Sequence, residues 1–177
     1  MTDFRGKSSV RGIRNNNPGN IRRSSNNWEG KVPFSQSTDR SFEQFISMEY
    51  GLRALMKNAI TWINRGANTP EKLIHKWAPP HENNTANFVK SVAKALKISE
   101  KTVIIPTKEN LIALAKVIAL NENGAEAQKI TEAMYQQAYQ LLKFNAPLKK
   151  KLAISGVTIL LVAGLVGTYF YYRHKKR

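Results

Sequence analysis

The chain has 177 residues, with 28 Lys or Arg against 12 Asp or Glu and a net charge of +16. This length allows one domain of about 100–150 residues plus a tail. The lack of cysteine excludes disulfides, thiolate metal sites and cysteine nucleophiles. Three histidines without cysteine do not favour zinc, so we expect no metal and no cofactor. The charge predicts an anionic partner, namely nucleic acid, phospholipid headgroups or acidic cell-wall glycans.

The N-terminal part is predicted to be irregular. Residues 1–12 are interpreted as a flexible basic arm, and they lack the apolar stretch of a secretion signal. Residues 13–46 are rich in Asn, Ser, Gly and Pro, which indicates loops with short strands at 32–34 and 42–46. We therefore expect a loop-rich N-terminal lobe at the start of a domain that covers residues 13–146.

The rest of this domain has a helical pattern. Apolar residues recur at intervals of three and four from Met48, which predicts a helix that ends near Arg65. A last helix of the domain carries apolar residues over 130–142. Between these two, helices are predicted to begin after capping hydroxyls; the caps are Thr69, Thr85 and Thr107. The predicted fold class is mainly α.

Residues 152–172 (LAISGVTILLVAGLVGTYFYY) contain no charge, and they are flanked by basic runs at 149–151 and 173–177. Twenty-one helical residues span roughly 31 Å, which matches the hydrocarbon core of a bilayer. The pattern therefore predicts one C-terminal transmembrane helix within a tail of residues 147–177, although a buried core helix is the alternative. Ala163 and Gly167 form a small-xxx-small pair that favours helix association.

Glu122 is the first candidate for chemistry. It ends an apolar helix and is followed by Asn123 and Gly124, and the glycine lets the chain turn away. Partial burial of such a carboxyl raises its pKa and keeps a proton available, as a general acid for a glycosidic oxygen requires. The alternative is a solvated glutamate at a helix end that glycine terminates.

The segment RGIRNNNPGNIR (11–22) and the aromatic residue that follows it form the second candidate site. Carboxamides form hydrogen bonds with sugar hydroxyls and N-acetyl groups, and aromatic faces cover pyranose rings. The predicted substrate-binding residues are Asn15, Asn16, Asn17, Asn20, Arg22 and Trp28. A chain of Asx turns that shapes the loop without binding a ligand is the alternative for the asparagines.

Glu82 is a further carboxylate to consider, because it follows two prolines in WAPPHENNT (77–85) and precedes a helix. It is interpreted as a possible catalytic or positioning residue, against a structural role at the start of the helix. Nucleic acid is a less favoured partner, because no predicted helix has a concentrated basic face with residues that read bases.

Three motifs together resemble those of a known family. They are NNNPGNIR (15–22), WAPPHENNT (77–85) and ENG (122–124), with W-x-G at 28–30 and F-x-x-F at 42–45. This combination resembles the glucosaminidase branch of the lysozyme-like superfamily, and more closely a set of peptidoglycan-degrading phage virion proteins. The resemblance implies a lysozyme-like helical domain that is circularly permuted, because the catalytic glutamate usually precedes the glycan loops.

The resemblance implies a lytic transglycosylase that cleaves bacterial peptidoglycan, with Glu122 as the catalytic residue. Our own hypothesis, separate from the resemblance, is that Tyr135 or Asn16 positions an N-acetyl group. A muramidase is the second choice. With the predicted anchor, it implies a single-pass protein in a virion membrane rather than the host inner membrane, acting in entry or lysis, with lipid and other virion proteins as partners. The alternative is a non-catalytic structural protein that links a membrane to capsid or genome.

Overall fold

The computed structural model describes residues 1–79 and 84–145. In chain order these residues form helices α1 (Arg11–Arg14), α2 (Met48–Asn64), α3 (Pro70–Trp77), α4 (Thr85–Leu96), α5 (Lys108–Asn123) and α6 (Glu132–Leu142). Short 3₁₀ helices cover Phe34–Gln36 and Gly124–Lys129. Because the described ranges contain helices and no β-strand, the mainly α class is confirmed for this part of the chain.

Helix α2 lies at the centre of the helical part and follows the predicted span closely. Its apolar face is fully buried and includes Leu52, Leu55 and Met56. This face packs chiefly against α6, and also against α5 and α3. Burial of each such side chain contributes about 1.5–3 kcal/mol. The intervals of three and four in the sequence therefore mark the main core of the domain.

Side-chain caps begin four of the described helices. The acceptors are Thr69, Asn84, Thr107 and Thr131, each bonded to the backbone N–H three residues later. The caps predicted at Thr69 and Thr107 are confirmed, whereas Thr85 is the first residue of α4 and Asn84 caps it. The Thr85 hydroxyl donates instead to the Ala78 carbonyl oxygen at 2.8 Å, which ties α4 to the end of α3.

The N-terminal lobe contains isolated backbone pairs in place of the predicted strands. The antiparallel bridges are Arg22 with Phe42 and Lys31 with Phe45. Pro33 has no N–H to donate, and the next residue, Phe34, begins a 3₁₀ turn. The prediction of strands at 32–34 and 42–46 is therefore wrong, because the chain turns before a ladder of backbone hydrogen bonds can extend.

Residues 1–12, expected to be a flexible arm, make specific contacts with the domain. The Thr2 backbone N–H donates to both carboxylate oxygens of Glu49, at 3.0 and 2.9 Å. The Ser8 hydroxyl donates to Glu126 at 2.8 Å, far along the chain. Backbone and side-chain hydrogen bonds therefore hold this segment against the helices and against residues 15–20 (NNNPGN), here called the asparagine loop.

The prediction of a transmembrane helix is corrected by the structure. Within residues 1–79 and 84–145, no helix has both the length and the apolar character needed to cross a bilayer. The longest described helix, α2, has 17 residues and includes Arg53 and Lys57. The predicted span 152–172 lies outside the described residues. The fold of the described residues is therefore mainly α without a membrane helix, and the prediction of a membrane localisation is corrected with it.

Candidate active site

Glu122 lies in the last turn of α5, where the helix meets the asparagine loop. The neighbouring Asn123 is buried and its carboxamide N–H₂ donates to the Pro18 and Ala119 carbonyl oxygens, both at 2.8 Å. Gly124 follows at φ 56° and ψ −140°, a conformation that favours glycine because it has no Cβ. Asn123 thus fixes the end of α5 against the loop, and the glycine turns the chain away from the Glu122 side chain.

The Glu122 carboxylate accepts a hydrogen bond from the carboxamide of Asn20 at 2.8 Å. Asn20 adopts a left-handed backbone conformation with φ 46°, which asparagine tolerates better than most residues. The indole of Trp77 is a second polar neighbour of Glu122, and its N–H lowers the pKa of that carboxyl. The acid, one loop carboxamide and one tryptophan of α3 therefore converge from three separate segments of the chain.

Glu122 is half-buried, and this burial shifts the pKa of its carboxyl. Burial raises the pKa of this carboxyl above its ordinary value of 4.5, and the hydrogen bond from Asn20 and the nearby indole N–H of Trp77 oppose that rise. Desolvation penalises the charged form, whereas donors stabilise it, and here desolvation is the larger effect. The group therefore keeps its proton to a higher pH than an exposed glutamate, as a general acid requires.

A cleft of about 450 Å³ lies next to the residues that contact Glu122. Asn20 and Trp77 are among the residues that line it, whereas Glu122 itself is not. The other lining side chains are mostly amides, aromatic rings and cations, and they include Arg22, Arg23, Asn26, Trp28, Asn58, Trp62 and Lys76. Amides and indole faces together are suited to a polar ring with one apolar face, such as a pyranose.

Two tryptophans form one wall of the cleft. Trp62 of α2 and Trp77 of α3 pack edge to face with ring centroids 5.1 Å apart. Gly19 approaches this wall closely, because a Cβ at that position would lie 2.8 Å from Trp77 Cζ2. The Pro-Gly step of the loop thus allows the backbone to pass against the indole that contacts Glu122.

Asn15, Asn16 and Asn17 are the buried residues of the asparagine loop, and their carboxamides form hydrogen bonds with other protein groups. The Asn16 side chain donates to Asp3 and to the Phe45 carbonyl oxygen, and it accepts from the Phe4 N–H. Asn15 bonds Asp39 and Gln44, and Asn17 bonds the Ile21 backbone and the Glu43 carbonyl oxygen. These three asparagines shape the loop, and the structure does not present their side chains to the cleft.

The other predicted binding residues are distributed differently. Asn20, Arg22 and Trp28 line the cleft. Arg22 also lies over the Phe42 ring, with 5.3 Å from its guanidinium carbon to the ring centroid. Trp28 packs against a small apolar cluster formed by Ile21, Phe45 and Ala54. Three of the predicted binding residues therefore line the cleft, and Asn20 connects it to Glu122.

Tyr135 is not among the residues that line the cleft. It lies on the buried face of α6 in the main core, where burial raises the pKa of its hydroxyl to about 12. The expected role in positioning an N-acetyl group therefore has no support from its location. Glu82 lies outside the described residues, so its predicted role stays a prediction.

Sequence reasoning missed several side chains of the cleft, namely Asn26, Asn58, Trp62, Lys76 and Trp77. Trp77 belongs to a motif that the sequence singled out, but that motif did not assign a role to its indole. Asn58 and Trp62 are four residues apart on α2 and therefore share a helix face. A half-buried polar and aromatic pair at this spacing, beside the apolar face of the helix, was the available signal.

The described residues show no metal centre, and those that line the cleft include no carboxylate. Across the described residues, no group of three His, Asp or Glu side chains is placed to hold a metal ion. The cleft-lining residues of the described ranges include no carboxylate, so Glu122 is the acid that contacts this lining. Glu122 thus adjoins the cleft through Asn20 rather than lining it.

Comparison with known proteins places the chain among bacteriophage proteins. It is 32% identical over 121 residues to Protein P5 of Pseudoalteromonas phage PM2, and the match covers 66% of this chain and 73% of that protein. No protein-family model matches the chain.

Proposed function

The chain belongs to the family of Protein P5 of Pseudoalteromonas phage PM2, and from this premise and the geometry of the cleft we propose that it is a phage enzyme that cleaves bacterial peptidoglycan as a lytic transglycosylase. The phage relationship supports a bacterial polymer as substrate. One observation carries the proposal: the half-buried Glu122 accepts a hydrogen bond from Asn20, a residue of the asparagine loop that lines a cleft of amides and tryptophans.

The proposed reaction uses Glu122 twice. The protonated carboxyl donates its proton to the oxygen that bridges N-acetylmuramic acid and N-acetylglucosamine, and the bond from the muramyl C1 to that oxygen breaks. The muramyl 6-hydroxyl oxygen then bonds to C1 and closes an anhydro ring, while its proton returns to the Glu122 carboxylate. Proton and electron pairs balance without water, and the acid ends the cycle in its starting form.

The choice of transglycosylase over hydrolase depends on the number of carboxylates. A retaining or inverting glycosidase ordinarily places two carboxyl groups around the scissile bond. Glu122 contacts the cleft lining, and the described residues of that lining supply no second carboxylate. A mechanism in which one glutamate acts as acid and then as base is consistent with this lining, and the same argument makes muramidase the second choice.

The remaining lining residues have roles that follow from their chemistry. Trp28, Trp62 and Trp77 offer ring faces and edges for pyranose packing, and Asn26 and Asn58 offer donors and acceptors for N-acetyl groups. Lys76 adds an exposed cation that suits a lactyl carboxylate. Asn20 holds the catalytic carboxyl in place, since its carboxamide spans from the loop to α5.

A zymogram with the full chain tests this proposal. We expect clearing of embedded peptidoglycan by the unmodified chain and loss of at least about 100-fold in activity for Glu122→Gln, because general acid catalysis contributes about 10²–10⁴-fold. Glu132→Gln is the matched control, since Glu132 begins α6, pairs with Lys116 and is not among the cleft-lining residues. A folded chain that clears nothing would instead support the non-catalytic structural role.

A further inference from the structure

A second groove adjoins the cleft along the outer face of α2. Its volume is about 570 Å³, and it shares Asn26, Trp28, Asn58 and Trp62 with the cleft. Trp62 is therefore a wall that the cleft and this groove have in common. A ligand that branches from a polymer in the cleft can enter the groove without leaving the protein surface.

The groove has a basic stripe that the helix geometry creates. Arg53, Lys57, Thr61 and Arg65 line it at intervals of four residues, so they project from one side of α2 and its end. Lys57 and Arg65 are exposed, whereas Arg53 is held by Glu29 and by the Leu141 carbonyl oxygen. Glu29 is the carboxylate among the described lining residues, and its pairing with Arg53 leaves Lys57 and Arg65 as the outward-facing cations.

We propose that this groove binds the carboxylates of peptide stems that branch from a glycan strand seated in the cleft, an inference that rests on the proposed function. The lysine ammonium and arginine guanidinium groups of the groove recognise carboxylates, and its amides form hydrogen bonds with peptide groups. Its continuity with the cleft at Asn58 and Trp62 places the branch next to the sugars.

Charge and spacing favour a carboxylate peptide over a nucleic acid. A duplex presents one phosphate charge about every 1.7 Å and is held by many cations along its length. Here the stripe has three cations on one helix, one of them already paired with Glu29. This is sufficient for one or two carboxylates of a short branch, and it is sparse for a polyphosphate backbone.

The test compares binding to peptidoglycan with its peptide stems and to the same glycan after an amidase has removed them. All chains carry Glu122→Gln, so that binding is measured without cleavage. Lys57→Ala with Arg65→Ala removes the two exposed cations, and Lys90→Ala with Lys94→Ala on α4 is the control of equal charge. Sedimentation of insoluble peptidoglycan gives the apparent affinity at fixed salt.

We expect the groove variant to bind stem-bearing peptidoglycan about three- to tenfold more weakly, as loss of two exposed ion pairs implies. Binding to stem-free glycan should be unchanged, and the α4 control should match the parent on both polymers. Equal loss on both polymers, no loss on either, or a loss seen chiefly with duplex DNA would each overturn the stem site. Because these chains do not cleave, the binding result is independent of the zymogram: if stems are discriminated here while the chain with Glu122 intact clears no zymogram, the groove stands and the proposed enzyme is lost.

Discussion

Asn20 and Glu122 are 102 residues apart in sequence, and the Asn20 carboxamide donates to the Glu122 carboxylate at 2.8 Å. This hydrogen bond joins the N-terminal loop to the last turn of α5, beside a cleft with three tryptophans. It connects the two segments that the sequence marks as candidates for acid chemistry and for sugar binding.

Replacing Asn20 by Gly should shift the pH dependence of activity. The variant keeps a residue that tolerates the left-handed backbone, but it removes a donor that stabilises the Glu122 carboxylate. The pKa of Glu122 then rises further, so the alkaline limit of activity moves to higher pH. Initial rates of peptidoglycan clearing across pH measure this shift.

Asn26→Ala is the control for that pH profile, because Asn26 lines the same cleft. We expect Asn26→Ala to change the rate without moving the alkaline limit. If Asn20→Gly moves the limit to lower pH, or leaves it in place while activity persists, then Asn20 does not act on the proton of Glu122.

Glu122→Gln should stabilise the protein at neutral pH. The folded-state pKa of Glu122 is raised above 4.5, so the native state binds more protons than the unfolded state between the two values. Stability therefore falls as pH rises through this window, and the deficit remains at about pH 7. A neutral amide of the same shape removes it. Urea unfolding of both chains should show the variant more stable near neutrality and the two equal well below pH 4.5. Equal stability at both pH values would contradict the desolvation argument.

Asn17→Ala should act on stability rather than on sugar binding directly. Its carboxamide bonds the Ile21 N–H, the Ile21 carbonyl oxygen and the Glu43 carbonyl oxygen, all near 2.9–3.0 Å. Leaving such buried groups without a partner costs about 1–3 kcal/mol each, so we expect a loss of about 2–5 kcal/mol in the free energy of unfolding. Asn26→Ala, at an exposed residue, should stay within about 0.5 kcal/mol. Unchanged stability with lost glycan binding would return Asn17 to the role of a ligand residue.

Gly51→Ala should destabilise the domain although alanine favours helices by about 1 kcal/mol over glycine. Gly51 lies in α2 directly against the asparagine loop, and a Cβ there would overlap the Asn16 carbonyl oxygen. Backbone cannot move as a side-chain tip can, so the expected loss exceeds about 2 kcal/mol. Lys57→Ala on the same helix is the control and should be near neutral. Thermal unfolding distinguishes them, and a stabilised Gly51→Ala would show that loop and helix are not in close contact.

The sequence predicted the helices well because local rules decide them. Thr69 and Thr107 cap their helices as expected, and the apolar intervals from Met48 define α2. Thr85 shows the limit of such rules, because the neighbouring Asn84 is also a good capping residue and it is Asn84 that caps the helix. The strands of the N-terminal lobe failed for a related reason, because a ladder depends on a partner that local pattern does not specify.

The site was predicted in part. Asn20, Arg22 and Trp28 line one cleft, and Asn20 connects that cleft to Glu122. Asn15, Asn16 and Asn17 look the same as Asn20 in sequence, and only the tertiary contacts separate buried carboxamides from the one that reaches Glu122. Tyr135 was wrongly expected at the site, because its helix turns that face into the core. The position of Trp77 next to Glu122 depends on the packing of its indole against Gly19, which the sequence pattern does not show.

Mass spectrometry of the fragments released from purified peptidoglycan tests the central claim most directly. The unmodified chain should release fragments that end in anhydromuramic acid, and Glu122→Gln should release at least about 100-fold fewer. Release of reducing-end muramic acid instead would replace the transglycosylase with a hydrolase. Equal release by both chains, or none by a folded unmodified chain, would contradict the claim that the carboxyl of Glu122 cleaves the glycan.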